Sequence, residues 1–274
     1  MSSDTRALSS RFRDRLVDGG IRALARTGRW VEPELLGLRD LVGPGDVCLD
    51  VGAALGLYTA ELSRLVGPSG AVHSVEPLPF AHVAPSRLLG LRDRPGVRWH
   101  RLALGARSGT LAMSVPLRGG RPVSGRSFLT DGAAGLGSNA EFDDHAEVLV
   151  PTCTLDEFRD RLGVDRVDFV KVDVEGAELD VLRGGAGLVE RDAPAFLLEI
   201  EQRHLDRFRR SAGSVVDWLA ERGYRMSTWD GRAWRRADRV DERRRNYLFT
   251  HRDFTPPGTA GRGSRPRARR SPTR

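Results

Sequence analysis

Three carboxylates, Asp173, Glu175 and Glu178, and one ammonium, Lys171, crowd the strand end and turn within V-D-F-V-K-V-D-V-E-G-A-E-L-D-V-L-R-G-G, from Val167 to Gly185. Lys171 and Asp173 are two residues apart, so on a strand they point to one side, and Glu175 with Gly176 forms a turn into a helix that carries Glu178. Such a group at a strand's carboxyl end is costly to hold near a core without partners. Its functional reading is proton removal from a hydroxyl by Asp173 or Glu175, with Lys171 fixing the carboxylate or a substrate oxygen. The plainer reading is an ion-pair network that holds the turn together. Lys171 is the only lysine among 44 basic residues, and it marks a place where a compact ammonium, rather than a planar guanidinium, is needed. A second strand, Ala195 to Ile200, adds Glu199, and His204 follows it; both are alternative proton acceptors. No ligand spacing among these residues demands a metal.

A second chemical feature is the stretch V-C-L-D-V-G-A-A-L-G, Val47 to Gly56. It reads as a buried strand, a glycine turn and the start of a helix, with apolar residues recurring at helical spacing from Leu57. Glycine lets backbone amides at a helix start approach a nucleotide-like ligand. The dinucleotide fingerprint G-x-G-x-x-G fails, because Ala54 and Leu57 occupy its second and third glycine positions, and no P-loop occurs. What remains is D-x-G-x-x-x-G followed by Glu76 at the end of the next apolar strand, an acid placed to receive a ribose diol. A ligand with a ribose and no pyrophosphate points to S-adenosylmethionine. A third strand begins at Val97 and ends at Ala103-Leu104-Gly105, which is placed to line an adenine. His100, mid-strand, reads as a packed residue.

The elements that must position these groups form one α/β domain. The 274 residues, 39% of them hydrophobic, suffice for a sizeable core. Residues 1–42 read as an N-terminal helical cover, 43–254 as the catalytic domain, and 255–274 as a disordered arginine-rich tail. That tail holds six of the seven net positive charges, so the body is not basic and a nucleic-acid partner is not expected beyond weak contact through the tail. No apolar run approaches the roughly 20 residues of a membrane span, and the N-terminus has no signal core; a cytoplasmic protein without a membrane partner is expected. Residues 118–139 are rich in glycine and serine and read as a lid loop, with Ser127, Phe128 and Asn139 as substrate contacts. Thr154 with Glu157 fits a capping box that starts a helix.

In order and spacing, D-V-G-A-A-L-G-L-Y-T, the E-P after the second strand, A-L-G, T-L-D, V-K-V-D-V-E-G-A-E and L-E-I-E resemble the FkbM-type methyltransferases over about Val47 to Glu201. That resemblance implies a class I methyltransferase fold, a Rossmann-like three-layer sandwich whose seven-stranded sheet is mostly parallel with one strand reversed. It implies O-methylation of a hydroxyl on a sugar or natural-product small molecule, with S-adenosyl-L-methionine as cofactor. Asp50, Gly52, Ala53, Ala54, Gly56 and Tyr58 of the first turn, Glu76 and Pro77 after the second strand, and Ala103 and Leu104 after the third would then hold the cofactor. Members often carry asparagine where this chain has Ala54, which removes one polar contact. The rival readings are a nucleic-acid methyltransferase, for which the Asn/Asp-Pro-Pro-aromatic site is missing, a non-catalytic nucleotide-binding module, and a dehydrogenase.

Overall fold

The computed structural model describes residues 3–28, 31–88, 90–91, 94–123 and 125–257. In chain order the strands are β1 (Val47–Val51), β2 (Ala71–Val75), β3 (Val97–His100), β4 (Ala103–Leu104), β5 (Gly109–Arg118), β6 (Arg121–Pro122) and β7 (Phe128–Leu129). They continue as β8 (Asp144–Cys153), β9 (Phe169–Val172), β10 (Ala195–Glu199), β11 (Tyr224–Trp229), β12 (Trp234–Arg236) and β13 (Asn246–His251). The helices are α1 (Ser3–Thr27), α2 (Leu57–Val66), α3 (Pro79–Leu88), α4 (Leu155–Leu162), α5 (Glu178–Arg183), α6 (Ala186–Asp192), α7 (Gln202–Leu205) and α8 (Ala212–Ala220).

The main sheet runs β12-β11-β13-β10-β9-β1-β2-β3. β1 lies parallel to both β2 and β9, β10 is parallel to β9, and β13 is the reversed strand beside β10. The strands alternate their side chains between two apolar layers, as a period of two requires. Leu49, Val170 and Phe196 face a cluster with Leu182, Leu188 and Leu219 of the helices on one side. Cys48, Phe169 and Leu197 face Leu35, Leu38 and Leu62 on the other. Each such Leu or Phe, removed from water, contributes about 1.5–3 kcal/mol.

The sheet has one strand more than the expected seven. After β11 the chain turns at Asp230, whose carboxylate accepts from the amides of Arg232 and Ala233 at 2.8 Å, and β12 pairs back with Trp229 opposite Trp234. The Trp234 indole donates to the Gly37 carbonyl at 3.0 Å, which pins the short 3-10 helix Pro33–Asp40 across this edge.

Between β3 and α4 the chain leaves the main sheet to build a second one, ordered β4-β8-β5-β6 with β7 against β5. The expected lid, 118–139, is therefore partly regular: it contains β6, β7 and part of a 3-10 turn, Gly137–Glu141. Its exposed base is the long β5–β8 pair, in which Leu149 stands 70% exposed. Thr154 does cap α4 by accepting from the Glu157 amide, yet the Glu157 carboxylate accepts from Ser108 instead of closing the box. Among the described residues no helix is long and apolar enough to cross a membrane. Most of the arginine-rich tail lies outside the described residues.

Candidate active site

The glycine turn is dictated by how closely β1 and β9 approach at their carboxyl ends. Gly52 has φ +78°, and a Cβ there would sit 1.8 Å from the Asp173 carbonyl oxygen, so no other residue fits. Ala54 adopts a left-handed φ of +42°, which aims its amide at Glu76 Oε2, 3.1 Å away. The Leu78 amide donates to Glu76 Oε1 at 2.9 Å. Each carboxylate oxygen keeps a lone pair for a further donor. Glu76, Gly52, Ala54, Pro77, Ala103 and Leu104 all line one cavity of about 390 Å³. A wall cleared of side chains, a carboxylate with two open acceptor positions and an apolar flank at Ala103 and Leu104 fit a ribose with an attached base.

Burial pushes the Glu76 carboxyl up to about 7, against the pull of the Leu78 and Ala54 amides. The native state thus holds a proton that the unfolded chain releases near 4.5. Stability from this group is fully present below that value and is lost as pH rises through about 7, on the order of 3 kcal/mol in all. Burial also raises Asp50, Glu175 and Glu178, which slope the same way. The melting temperature of the ligand-free protein is expected to fall from about pH 5 to about pH 8. Glu76→Gln should flatten part of that slope in thermal melts, and an unchanged slope would show that Glu76 is ionised throughout.

The acidic corner lines the same cavity, beside the glycine turn. Asp173 follows β9 with its side chain 30% exposed, and Lys171 Nζ stands 3.6 Å from its Oδ2. Lys171 itself is 1% exposed and lies 5.1 Å from the centre of the Tyr58 ring. Burial pulls its pKa down, but Asp173, Glu32, Glu199 and Asp50 together outweigh this and hold it above the ordinary value. Glu199, at the end of β10, is hydrogen-bonded to Asp173, and burial followed by that neighbour drives its carboxyl well up. Glu175 sits at φ +58° in the turn; burial first and Asp173 second push it up to about 8. His204, at 3% exposure on α7, is pushed down to about 4 by burial.

Several expected site residues lie elsewhere than anticipated. Asp50 does not line the cavity: it is buried below the turn, where Thr59 Oγ1 donates to its Oδ2 at 2.5 Å, so it braces α2 against β1. Ala53, Gly56 and Tyr58 also stand behind the wall. Gly56, at φ +81°, starts α2, and Tyr58 turns its hydroxyl away to donate to Glu32 Oε2 at 2.6 Å. Lys171 lies under the floor and supports Asp173 from below, too deep to touch a substrate oxygen. Burial disfavours the charged forms of Glu175 and Glu199 and raises both carboxyls, while Asp173 is the partly exposed carboxylate of the corner. Glu178 fits the plainer structural reading, since its Oε1 accepts from the Val174 and Gly176 amides at 3.3 and 3.0 Å. His100 packs against His73 and Phe158, as expected of a strand residue. Ser127 lines the cavity, whereas Phe128 packs under the Arg207 guanidinium and Asn139 receives Arg126.

Sequence reasoning missed Glu32, Arg126 and Arg207. Glu32 enters the cavity from the N-terminal cover, far from any motif. Arg126 Nε stands 3.9 Å from Glu175 Oε2, and Arg207 donates to the Glu175 carbonyl at 3.4 Å. Linear spacing gave no metal motif, yet folding gathers two triads whose ligand atoms lie within 4.8 Å of one another: Glu175, Glu199 and His204, and Glu32, Asp173 and Glu199. Each triad is drawn from separate segments, which is why no spacing revealed it.

A model of the methyltransferase FkbM domain matches residues 50–226, a span that holds both the glycine cradle and the acidic corner. The chain belongs to the FkbM methyltransferase family. It is 30% identical over 142 residues to Methyltransferase 1 of Beauveria bassiana, a match covering 50% of this chain and 57% of that protein. It is 28% identical over 153 residues to the methyltransferase sdnD of Sordaria araneosa, covering 50% of this chain and 59% of that one. The chain thus spans little more than half the length of these curated relatives. A third match, 27% identical over 208 residues, covers 67% of this chain but 10% of the AMB antimetabolite synthetase AmbE of Pseudomonas aeruginosa. Among solved structures, the FkbM methyltransferase of Methylobacillus flagellatus aligns with a TM-score of 0.45 at 16% identity, over 76% of this chain and 44% of that one. The β3-β2-β1-β9-β10-β13-β11 order of this FkbM-family chain is that of the class I methyltransferase fold. Ala54 offers only its amide, already spent on Glu76.

Proposed function

We propose that this chain is an S-adenosylmethionine-dependent methyltransferase that acts on a hydroxyl of a sugar or natural-product small molecule. The observation that carries the reading is one cavity lined by two chemically different sets of groups. The cradle of Gly52, Ala54 and Glu76 would hold the cofactor's ribose, and the corner around Asp173 would hold the acceptor. Its volume falls in the range of small-molecule sites, about 300–1,000 Å³. The relative whose name marks it as an antimetabolite synthetase supports a small-molecule acceptor. The cofactor, when bound, supplies a methyl group on a positively charged sulfur, ready for in-line displacement.

The protein's main contribution is alignment, for which oriented reactants supply about 7–11 kcal/mol. Glu76 would fix the ribose end, while Gly125, Arg126 and Ser127 of the second sheet's loop line the cavity. Asp173 takes the acceptor's proton at its carboxylate, held in place by Lys171 below it. Burial pushes His204 down to about 4, so its ring keeps a lone pair at neutral pH. Calorimetry on the full chain, with S-adenosylmethionine and NAD titrated side by side, tests the reading. Heat is expected from the first alone; heat from NAD alone, or from neither, would end it.

A further inference from the structure

The corner beyond Asp173 contains more ligating chemistry than proton transfer needs. Glu175, Glu199 and His204 come from the β9–α5 turn, the end of β10 and α7, and their ligand atoms lie within 4.8 Å of one another. Glu175 is 6% exposed, Glu199 7% and His204 3%, so all three are more than nine-tenths buried. Two of the converging atoms are orphans. Glu175 Oε2 and His204 Nε2 stand 3.3 Å apart, yet neither makes a hydrogen bond among the described residues. A buried imidazole nitrogen and a buried carboxylate oxygen left in this condition each carry a desolvation cost that something must offset.

The surrounding guanidiniums supply only part of that offset. Arg126 is engaged with Glu141 at 3.0 Å and reaches Glu175 only at 3.9 Å. Arg207 donates from its two terminal nitrogens to Ser138, Asn139 and the Glu175 carbonyl, and its Nε makes no hydrogen bond among the described residues. Along the cavity wall carboxyl groups outnumber guanidiniums six to three. A doubly charged cation would satisfy both orphans at once.

We propose that Glu175, Glu199 and His204 form a divalent-cation site at the acceptor end of the cavity. One imidazole nitrogen with two carboxylate oxygens is a donor set for Mn²⁺ and its borderline neighbours rather than for Mg²⁺, which prefers oxygen alone. The positions of the coordination shell left open by three protein ligands face the cavity, where an oxygen of the acceptor can enter. This role in acceptor binding rests on the methyltransferase reading; cation binding itself does not.

The test is Mn²⁺ titration of the full-length chain without cofactor or acceptor, followed by electron paramagnetic resonance and by electron spin echo modulation. One bound Mn²⁺ per chain is expected, with nitrogen modulation from an imidazole. His204→Gln should remove the nitrogen signal and weaken binding at least tenfold, whereas Glu157→Gln, on α4 away from the cavity, should change neither. The wild-type nitrogen signal does not depend on any variant folding, so it decides the matter alone. Absence of binding at millimolar Mn²⁺, or binding without nitrogen modulation, overturns the proposal. A failed S-adenosylmethionine titration alongside intact Mn²⁺ binding would sink the methyltransferase reading and leave the cation site standing.

Discussion

Gly52→Ala is expected to destroy cofactor binding and to lower stability by at least about 3 kcal/mol. Two costs add at this position. A side chain at φ +78° bears left-handed strain of roughly 1–2 kcal/mol. The new Cβ would also lie 1.8 Å from a backbone oxygen, that of Asp173, which no rotamer change can relieve. Overpacking of this kind costs typically about 1–3 kcal/mol, at the upper end where backbone must move. The displaced strand end carries Asp173, so turnover should fall with affinity. Gly67→Ala separates the two costs, because Gly67 has φ +62° with nothing within 4 Å of its added Cβ. Melting temperature and S-adenosylmethionine calorimetry on both variants check the expectation. If Gly52→Ala melts and binds like Gly67→Ala, the close approach of β1 and β9 is not what the glycine serves.

Asp173→Asn is expected to cut kcat by ~10²–10⁴-fold while the affinity for S-adenosylmethionine holds within a few-fold. The amide keeps the shape of the carboxylate but cannot take a proton. One competing effect must be removed. The substitution takes from Lys171, at 1% exposure, its nearest carboxylate, and breaking a fully buried pair costs about 3–5 kcal/mol. Asp173 is partly exposed, so the loss here should be smaller. Adding Lys171→Met to Asp173→Asn should restore the melting temperature without restoring turnover. Glu201→Gln is the comparison, since Glu201 lines the same cavity but is paired with Arg203 at 2.7 Å. Turnover of Asp173→Asn above a tenth of wild type would move the base elsewhere.

The parts of this site that could be read from sequence are those in which neighbours along the chain are neighbours in space. The strand, turn and helix from Val47 through Leu57, and the turn after Lys171, are local: glycine, acid and apolar spacing declare them. The single lysine could be singled out by type, but its depth could not, since burial beneath Asp173 depends on Tyr58 and Glu32 arriving from elsewhere. Asp50 looked like a ligand because it stands beside the glycine turn, and only the position of Thr59 shows that its carboxylate points into α2. β8 escaped detection because much of it is exposed, Val148 and Leu149 included, so no alternation marks it. β12 is three residues long, too short for any periodic signal. Glu32 and Arg126 enter the cavity from segments with no pattern of their own, and there the topology alone supplies the information.

The second sheet is stitched shut where it departs from the main one. Ala103 and Leu104 pair in parallel with Thr152 and Cys153, and Thr152 also faces Gly109. Exit and re-entry therefore share a single seam, and everything between them hangs from the core as a closed excursion. Because ends already held together incur only a slowly growing entropic cost as the span between them lengthens, this excursion is free to vary in length and composition with little disturbance to the cradle at Gly52. The excursion contributes Gly125, Arg126 and Ser127 to the cavity wall, so changes within it can reshape that wall while the turn at Gly52 stays in place.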